Sequence, residues 1–274
     1  MDAIEMVICV IGLGQIGCIV AKYIKAKGYD VYGLDSNPVA VEYGVQNGKF
    51  KATTQWGQLL KAGVYIFCVT TNQVNNQTDC TSVFEVSKKI AEKTNANTIV
   101  YIESIILLCT VKKIFEEIFK GKCLFVHVPH RYWVDQKYQY GVNQVRVNGG
   151  INIKSLEACI KFYKEQLGIS MHKIRSIEEG VLEMCKIIEN SHRYLQIVFA
   201  EDLKMMCNHI DINVDEMREA MNTKWNVGLP EARDDISRHC LPKDIQYFTA
   251  LTLSILLSSV IEAADQKYQQ GLTK

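Results

Sequence analysis

Val7-Ile8-Cys9-Val10-Ile11-Gly12-Leu13-Gly14-Gln15-Ile16-Gly17 decides the fold. A β-branched run passes straight into glycines spaced G-x-G-x-x-G, and helical periodicity begins at Gln15. That context, strand then glycine turn then helix, is what a dinucleotide-binding turn requires. Gly12 makes the tight turn, Gly14 lets the backbone approach a pyrophosphate, and Gly17 lets the helix pack on the strand. The amides of Gln15 and Ile16 at the helix start, with the helix dipole, suit a diphosphate. Asp35 ends the next strand about 20 residues on, where a carboxylate accepts hydrogen bonds from the adenosine ribose hydroxyls and repels a 2′-phosphate. Ser36 and Asn37 follow it and no Arg is near, so NAD is preferred to NADP.

From that turn the pattern extends in both composition and order. Strand-like runs at Val7–Gly12, Asp30–Asp35, Val64–Thr70, Thr98–Ile102 and Cys123–Val128 alternate with amphipathic stretches near Gln15–Lys27, Val39–Gln46, Ser82–Lys93 and Val111–Lys120. Strands apolar throughout, joined by helices, predict an α/β Rossmann fold: a doubly wound parallel sheet. Thr70, Thr71, Glu103 and Ser104 fall just beyond strand ends, where open α/β sheets bind ligands, and are candidate cofactor contacts. After Gly149-Gly150 the periodicity turns helical, from Ile177 to about Asn208 and from Asp215 to Met221. The predicted organisation is a dinucleotide-binding domain over residues 1–150 and a mostly helical domain over residues 151–274, with Asn222–Asp244 as loop and turn.

Of the 274 residues, 48% are apolar and 22% charged, and the net charge is +1. A chain so balanced is globular and lacks the cationic excess of a nucleic-acid binder. Ten Cys and six His are scattered without a C-x-x-C pair, so no metal site is expected. The start shows no secretory leader pattern, and a reduced, cytoplasmic setting is the expectation. The apolar run Phe248–Val260, about 13 residues, is short for a membrane span of about 20, and reads as a buried or subunit-contact helix.

Two further groupings carry chemistry. Lys186 and Asn190 stand four apart in a helical pattern, so one face presents both, and such a pair can donate hydrogen bonds to a single oxyanion. Cys240 lies in Ser237-Arg238-His239-Cys240-Leu241-Pro242-Lys243-Asp244, where neighbouring cations favour a thiolate.

With these segments in order, Val10–Asp35, Lys186–Glu201, Met221–Thr223 and His239–Asp244, the chain resembles the UDP-sugar and GDP-sugar 6-dehydrogenases, closest to the branch oxidising UDP-N-acetylmannosamine. The last segment is similar to the G-G-H-C-L-P-K-D signature of that family. The resemblance implies oxidation of a sugar primary alcohol to a carboxylate with two NAD, through a thiohemiacetal and a thioester on Cys240. It further implies that Lys186 and Asn190 stabilise oxyanions, that Lys243 and Asp244 accompany the nucleophile, and that Asp244 positions water. In Val128-Pro129-His130 the family commonly has Glu where His130 stands, and an imidazole can serve as the base there. Ser237-Arg238 replace the paired glycines, Leu107-Leu108-Cys109 replace a proline-proline-glycine turn, and the family's third, nucleotide-gripping domain has no counterpart before Lys274.

Three functional readings follow: a nucleotide-sugar dehydrogenase, a one-step NAD-dependent hydroxyacid or alcohol dehydrogenase in which Cys240 is incidental, and a non-catalytic NAD-binding subunit. The expected partners are a small-molecule substrate and a second copy of the chain, joined through the helical domain; neither nucleic acid nor membrane is expected.

Overall fold

The computed structural model describes residues 6–74, 77–132, 141–174, 180–232, 240–251 and 258–260. The strands are β1 (Val7–Ile11), β2 (Asp30–Leu34), β3 (Lys51–Thr53), β4 (Val64–Phe67), β5 (Asn72–Val74), β6 (Gln77–Asp79), β7 (Ile99–Ile102), β8 (Leu124–His127), β9 (Arg146–Gly150) and β10 (Met171–Ile174). The helices are α1 (Gln15–Ala26), α2 (Pro38–Gly48), α3 (Thr81–Ala91), α4 (Thr110–Lys113), α5 (Ile153–Ile160), α6 (Val181–His209), α7 (Val214–Asn222) and α8 (Cys240–Leu251). Wider π-type turns continue α4 through Phe119 and α5 through Gln166.

Eight strands form one sheet in the order β10-β9-β8-β7-β4-β1-β2-β3 among the described residues. Every pairing is parallel except β8 with β9. Alternate side chains of the central strands enter two cores. Ile8, Val10, Ile66, Tyr101 and Val126 pack with Val20, Ala21 and Ile24 of α1 and with Phe162 and Tyr163 beyond α5. Cys9, Ile11, Phe67, Val100 and Phe125 pack with Val83 and Ile90 of α3 and with Val111 and Ile114 of α4. A sheet covered on both faces explains why these strands are apolar at consecutive positions, and it is the doubly wound architecture expected from sequence.

Local chemistry sets the helix starts. Asn37 accepts a hydrogen bond from the Val39 amide at 2.9 Å with Pro38 in the first turn of α2. Asn152 caps α5 through the Ser155 amide at 2.9 Å, and Asn213 caps α7 through the amides of Asp215 and Glu216. A side-chain oxygen in each case satisfies amides that the first turn leaves without partners.

The chain divides into one compact unit of residues up to Asn72 with Asp79–Met184, and another of Gln73–Thr78 with residues from Cys185 on. Gly149 and Gly150 end a packed strand: β9 is buried along its length, and a Cβ at Gly150 would stand 2.5 Å from the Leu156 amide nitrogen. The glycine is there so that α5 can sit against the strand. The expected Asn222–Asp244 loop is shortened, because α8 begins at Cys240 with Pro242 in its first turn, where no amide donor is needed.

In the second unit, Tyr194 and Val198 of α6 pack with Ile245 of α8. Asn222 clasps the chain after α7, its side-chain amide exchanging two hydrogen bonds with the backbone of Leu229 at 2.7 and 3.0 Å. The apolar run Phe248–Val260 is helical through Leu251 and at 258–260, and residues 252–257 lie outside the described ones. No described helix is long and apolar enough to cross a membrane.

His127, the last residue of β8, is fully buried with Nε2 3.2 Å from the Ser104 carbonyl oxygen, and desolvation lowers its pKa from 6.5 to about 4. Between those values the unfolded chain is protonated and the folded one is not. Stability should therefore fall by up to ~1.4 kcal/mol per pH unit as pH drops from about 6.5 towards 4. Urea unfolding at pH 7 and pH 5, compared with His127→Gln, checks this: the variant is expected to lose less stability across that interval.

Candidate active site

The register of the sheet builds the candidate cofactor site of the first unit. Ile11 pairs with Leu34 and Phe67, Phe67 with Ile102, and Ile102 with His127, so five strands end on one row. Gly12, Asp35, Cys68, Glu103 and Val128 are therefore the next residues out along a single sheet edge.

Gly12 adopts φ +88°, and a Cβ there would lie 2.6 Å from the Cys68 carbonyl oxygen. A Cβ on Gly17 would collide with the Gly12 carbonyl, so the turn and the first turn of α1 are in contact. Gly14 differs: it is exposed, and nothing stands within 4 Å of where its Cβ would be. It is the extended N-cap of α1 and makes no side-chain cap. The loop is thus packed from below and open above, with the first-turn amides of α1 at its rim, which fits a diphosphate.

Asp35 accepts hydrogen bonds from the Leu13 amide at 2.5 Å and from the Asn37 amide at 2.8 Å. Its carboxylate ties the glycine loop to the end of β2. Gln15 and Thr70 are exposed and Ile16 half-buried. Thr71 and Ser104 are buried, and their hydroxyls join neighbouring loops: Thr71 Oγ1 donates to the Ile105 carbonyl at 2.9 Å, and Ser104 Oγ to the Val69 carbonyl at 2.7 Å.

Glu103, a candidate cofactor contact, is buried. It is 3% exposed; Oε1 accepts from the Tyr163 hydroxyl at 2.6 Å, and Oε2 lies 3.6 Å from Arg146 Nη1 and 3.7 Å from His130 Nε2. Arg146, also buried, brings a cation to the carboxylate from β9. His130 belongs to the same cluster. Its Nδ1 accepts from the Tyr132 amide at 2.8 Å while Nε2 faces Glu103, and the ring is buried. Arg146 and Tyr163 escaped the sequence reading, since nothing local marks an Arg on a strand as an interior ion partner.

In the second unit, Lys186 Nζ donates to Asn190 Oδ1 at 3.1 Å, and Asn190 Nδ2 donates to Asp244 Oδ2 at 2.6 Å. Lys186 is half-buried, Asn190 and Asp244 buried. The i, i+4 pair read from sequence is thus in contact and held by a carboxylate from α8. Cys240 opens α8, one turn before Asp244; the side chains of Cys240 and Lys243 and all of His239 lie outside the described residues. No group of three or more His, Cys, Asp or Glu suited to a metal ion occurs among the described residues, and no disulfide joins the described cysteines.

Two family models match: the NAD binding domain of the UDP-glucose/GDP-mannose dehydrogenase family over residues 40–166, and its central domain over residues 181–267. The chain belongs to that family. The first match opens downstream of Gly12 and Asp35, so the assignment of the glycine loop rests on its own geometry. A UDP-N-acetyl-D-mannosamine dehydrogenase of Methanococcus maripaludis is 29% identical over 259 residues, 86% of this chain and 60% of the relative. The chain thus spans about 60% of the length of that curated relative. Among solved structures, the UDP-D-ManNAc dehydrogenase from Pyrococcus horikoshii superposes with a TM-score of 0.84 at 24% identity, covering 96% of this chain and 69% of that one. A 3-hydroxyisobutyrate dehydrogenase from Mycobacterium tuberculosis gives 0.73 at 14% identity, covering 95% and 93%. Both show the fold.

Proposed function

We propose that this chain is an NAD-dependent oxidoreductase that converts the primary alcohol of a nucleotide sugar, of the UDP-N-acetylmannosamine kind, to a carboxylate. The observation that carries the reading is the hydrogen-bonded series Lys186–Asn190–Asp244, with Cys240 one turn before Asp244. The ammonium of Lys186 stabilises the alkoxide as the alcohol loses its proton, and Asn190 holds that ammonium in place. Asp244, buried against Asn190, fixes which way the amide points and serves as a positioning residue.

The glycine loop, with Gly12, Gly14 and Gly17, and Asp35 would hold NAD, which when bound accepts the hydride in each oxidation. We prefer NAD to NADP because Asp35 disfavours a 2′-phosphate. The alcohol gives up a hydride and a proton to become an aldehyde. The Cys240 thiol adds to the aldehyde carbon, forming a C–S bond and a thiohemiacetal whose oxyanion Lys186 and Asn190 stabilise. A second hydride leaves, water attacks the thioester, the C–S bond breaks, and the thiolate returns with the carboxylate released. In the one-step reading, which the same two-unit fold accommodates, Lys186 and Asn190 act and Cys240 stands aside.

The chain also carries an apolar stripe along α6: Ile188, Phe199 and Met206, with Ile210 just past the helix end, are each about half exposed and recur at helical spacing. We propose that a second copy covers this face, giving a homodimer working in a reducing, cytoplasmic setting. Multi-angle light scattering at micromolar concentration is expected to give twice the chain mass, and a monomer there would contradict it.

Turnover is tested by NADH production over a panel of UDP-sugars, GDP-sugars, free sugars and hydroxy acids, with Cys240→Ala alongside. Release of about two NADH per nucleotide sugar, lost in the variant, is the expected result. One NADH per substrate, retained in the variant, selects the one-step reading. NAD binding without turnover on any substrate selects the non-catalytic one.

A further inference from the structure

The start of α6 is joined to the loop after β7 by an unusual anchor. Glu183, 1% exposed, accepts hydrogen bonds from the amides of Cys109 at 2.8 Å and Val111 at 2.9 Å, one on each carboxylate oxygen. Those amides open α4, so a negative group meets a helix start that carries partial positive charge. Burial raises the Glu183 pKa, and the backbone amides of Val111, Cys109 and Thr110 oppose the rise. The same joint includes Gly180: it adopts φ +70°, and a Cβ there would meet the end of the Leu108 side chain and stand 3.0 Å from Glu183 Oε2. The left-handed backbone at residue 180 favours glycine where α6 begins beside residues 108 and 109.

The loop being gripped is the one that leaves the sheet edge through Glu103 and Ser104. It is braced from the other side by Thr71, whose hydroxyl donates to the Ile105 carbonyl. Cys109, gripped by Glu183, takes the left-handed conformation at φ +65° as the residue preceding α4. Along α6, Lys186 and Asn190 follow Glu183 by three and seven residues and therefore share its face.

We propose that Glu183 is a positioning residue for Lys186: by pinning the first turn of α6 to the Cys109–Val111 amides, it fixes where the next turn holds the ammonium. The inference rests on the reading of Lys186 as the group that polarises the alcohol. In helical terms, a rotation or slide at Glu183 is transmitted undamped one turn along, and an error of about 1 Å at a catalytic ammonium costs up to ~100-fold in rate.

The test is Glu183→Gln, which keeps the shape but turns an NH2 towards one of the two amides and removes the charge, with Glu183→Asp as the milder change. Three quantities are measured in the full-length chain: steady-state kinetics on the substrate that wild type turns over, NAD affinity by calorimetry, and the acetylation rate of Lys186 by acetic anhydride, followed by mass spectrometry with Lys164 as internal reference. Glu183→Gln is expected to lower kcat about 10- to 100-fold with KM and NAD affinity within about twofold of wild type. Lys186 acetylation should shift at least about threefold relative to Lys164, and Glu183→Asp should recover part of both. Unchanged kcat and unchanged Lys186 acetylation, with only a lowered melting temperature, would overturn the proposal and leave Glu183 as a helix-capping group. Should wild type turn over no substrate, the functional reading fails on its own, and Lys186 acetylation still decides whether Glu183 governs the position of Lys186. If Glu183→Gln does not fold, Glu183→Asp is read by the same criteria.

Discussion

The shared register of five strands is the constraint on which everything else in the first unit depends. Ile11, Leu34, Phe67, Ile102 and His127 stand on one row, so the residue after each emerges at the same sheet edge. A slip of one residue in any strand would swap its two faces and send its apolar side chains to the wrong core. Packing on both faces therefore fixes the register, and the register places Gly12 beside Cys68 and Asp35 within reach of the Leu13 amide. The open surface above Gly14 is a by-product of hydrophobic burial elsewhere in the sheet.

A second layer of order comes from buried charge. Glu103, Arg146, His130 and Tyr163 converge where β7, β8 and β9 come together, and taking a carboxylate and a guanidinium out of water is tolerable only when each faces the other and further donors help. The antiparallel strand β9 is what brings Arg146 to Glu103. Where relatives of this chain's type were expected to carry an acid after the proline, His130 stands instead and is absorbed into this cluster. The polar network thus holds the loops that follow β7 and β8.

How much of this was legible depends on the distance over which the causes act. The glycine turn, Asp35, the central strands and the Lys186–Asn190 pair are local patterns, and the structure places each of them in the element read from sequence. The inward turn of Glu103 could not be read, because its partners lie 43 and 60 residues downstream at Arg146 and Tyr163. The packed setting of Gly150 could not be read, because glycine has the same local signature in a turn and under a packed helix, and only the approach of Leu156 separates the two. The start of α8 was masked by Pro242, which marks a break in most contexts but is neutral in a first turn. Glu183 carries no signal in the sequence, since one acid among Leu182, Met184 and Ile187 looks the same whether it is solvated or buried on backbone amides.

The most direct test of the central claim, that the sheet edge at Gly12–Gly17 is a dinucleotide site, is calorimetric titration of NAD into wild type and Gly14→Val. Gly14 has an ordinary extended backbone, and a Cβ there meets no protein atom within 4 Å, so the substitution leaves the fold intact and only a ligand lying against the loop would feel it. Wild type is expected to bind NAD with Kd in about the micromolar range, and the variant at least about tenfold more weakly at unchanged melting temperature. No binding by wild type, or equal binding by Gly14→Val, would contradict it.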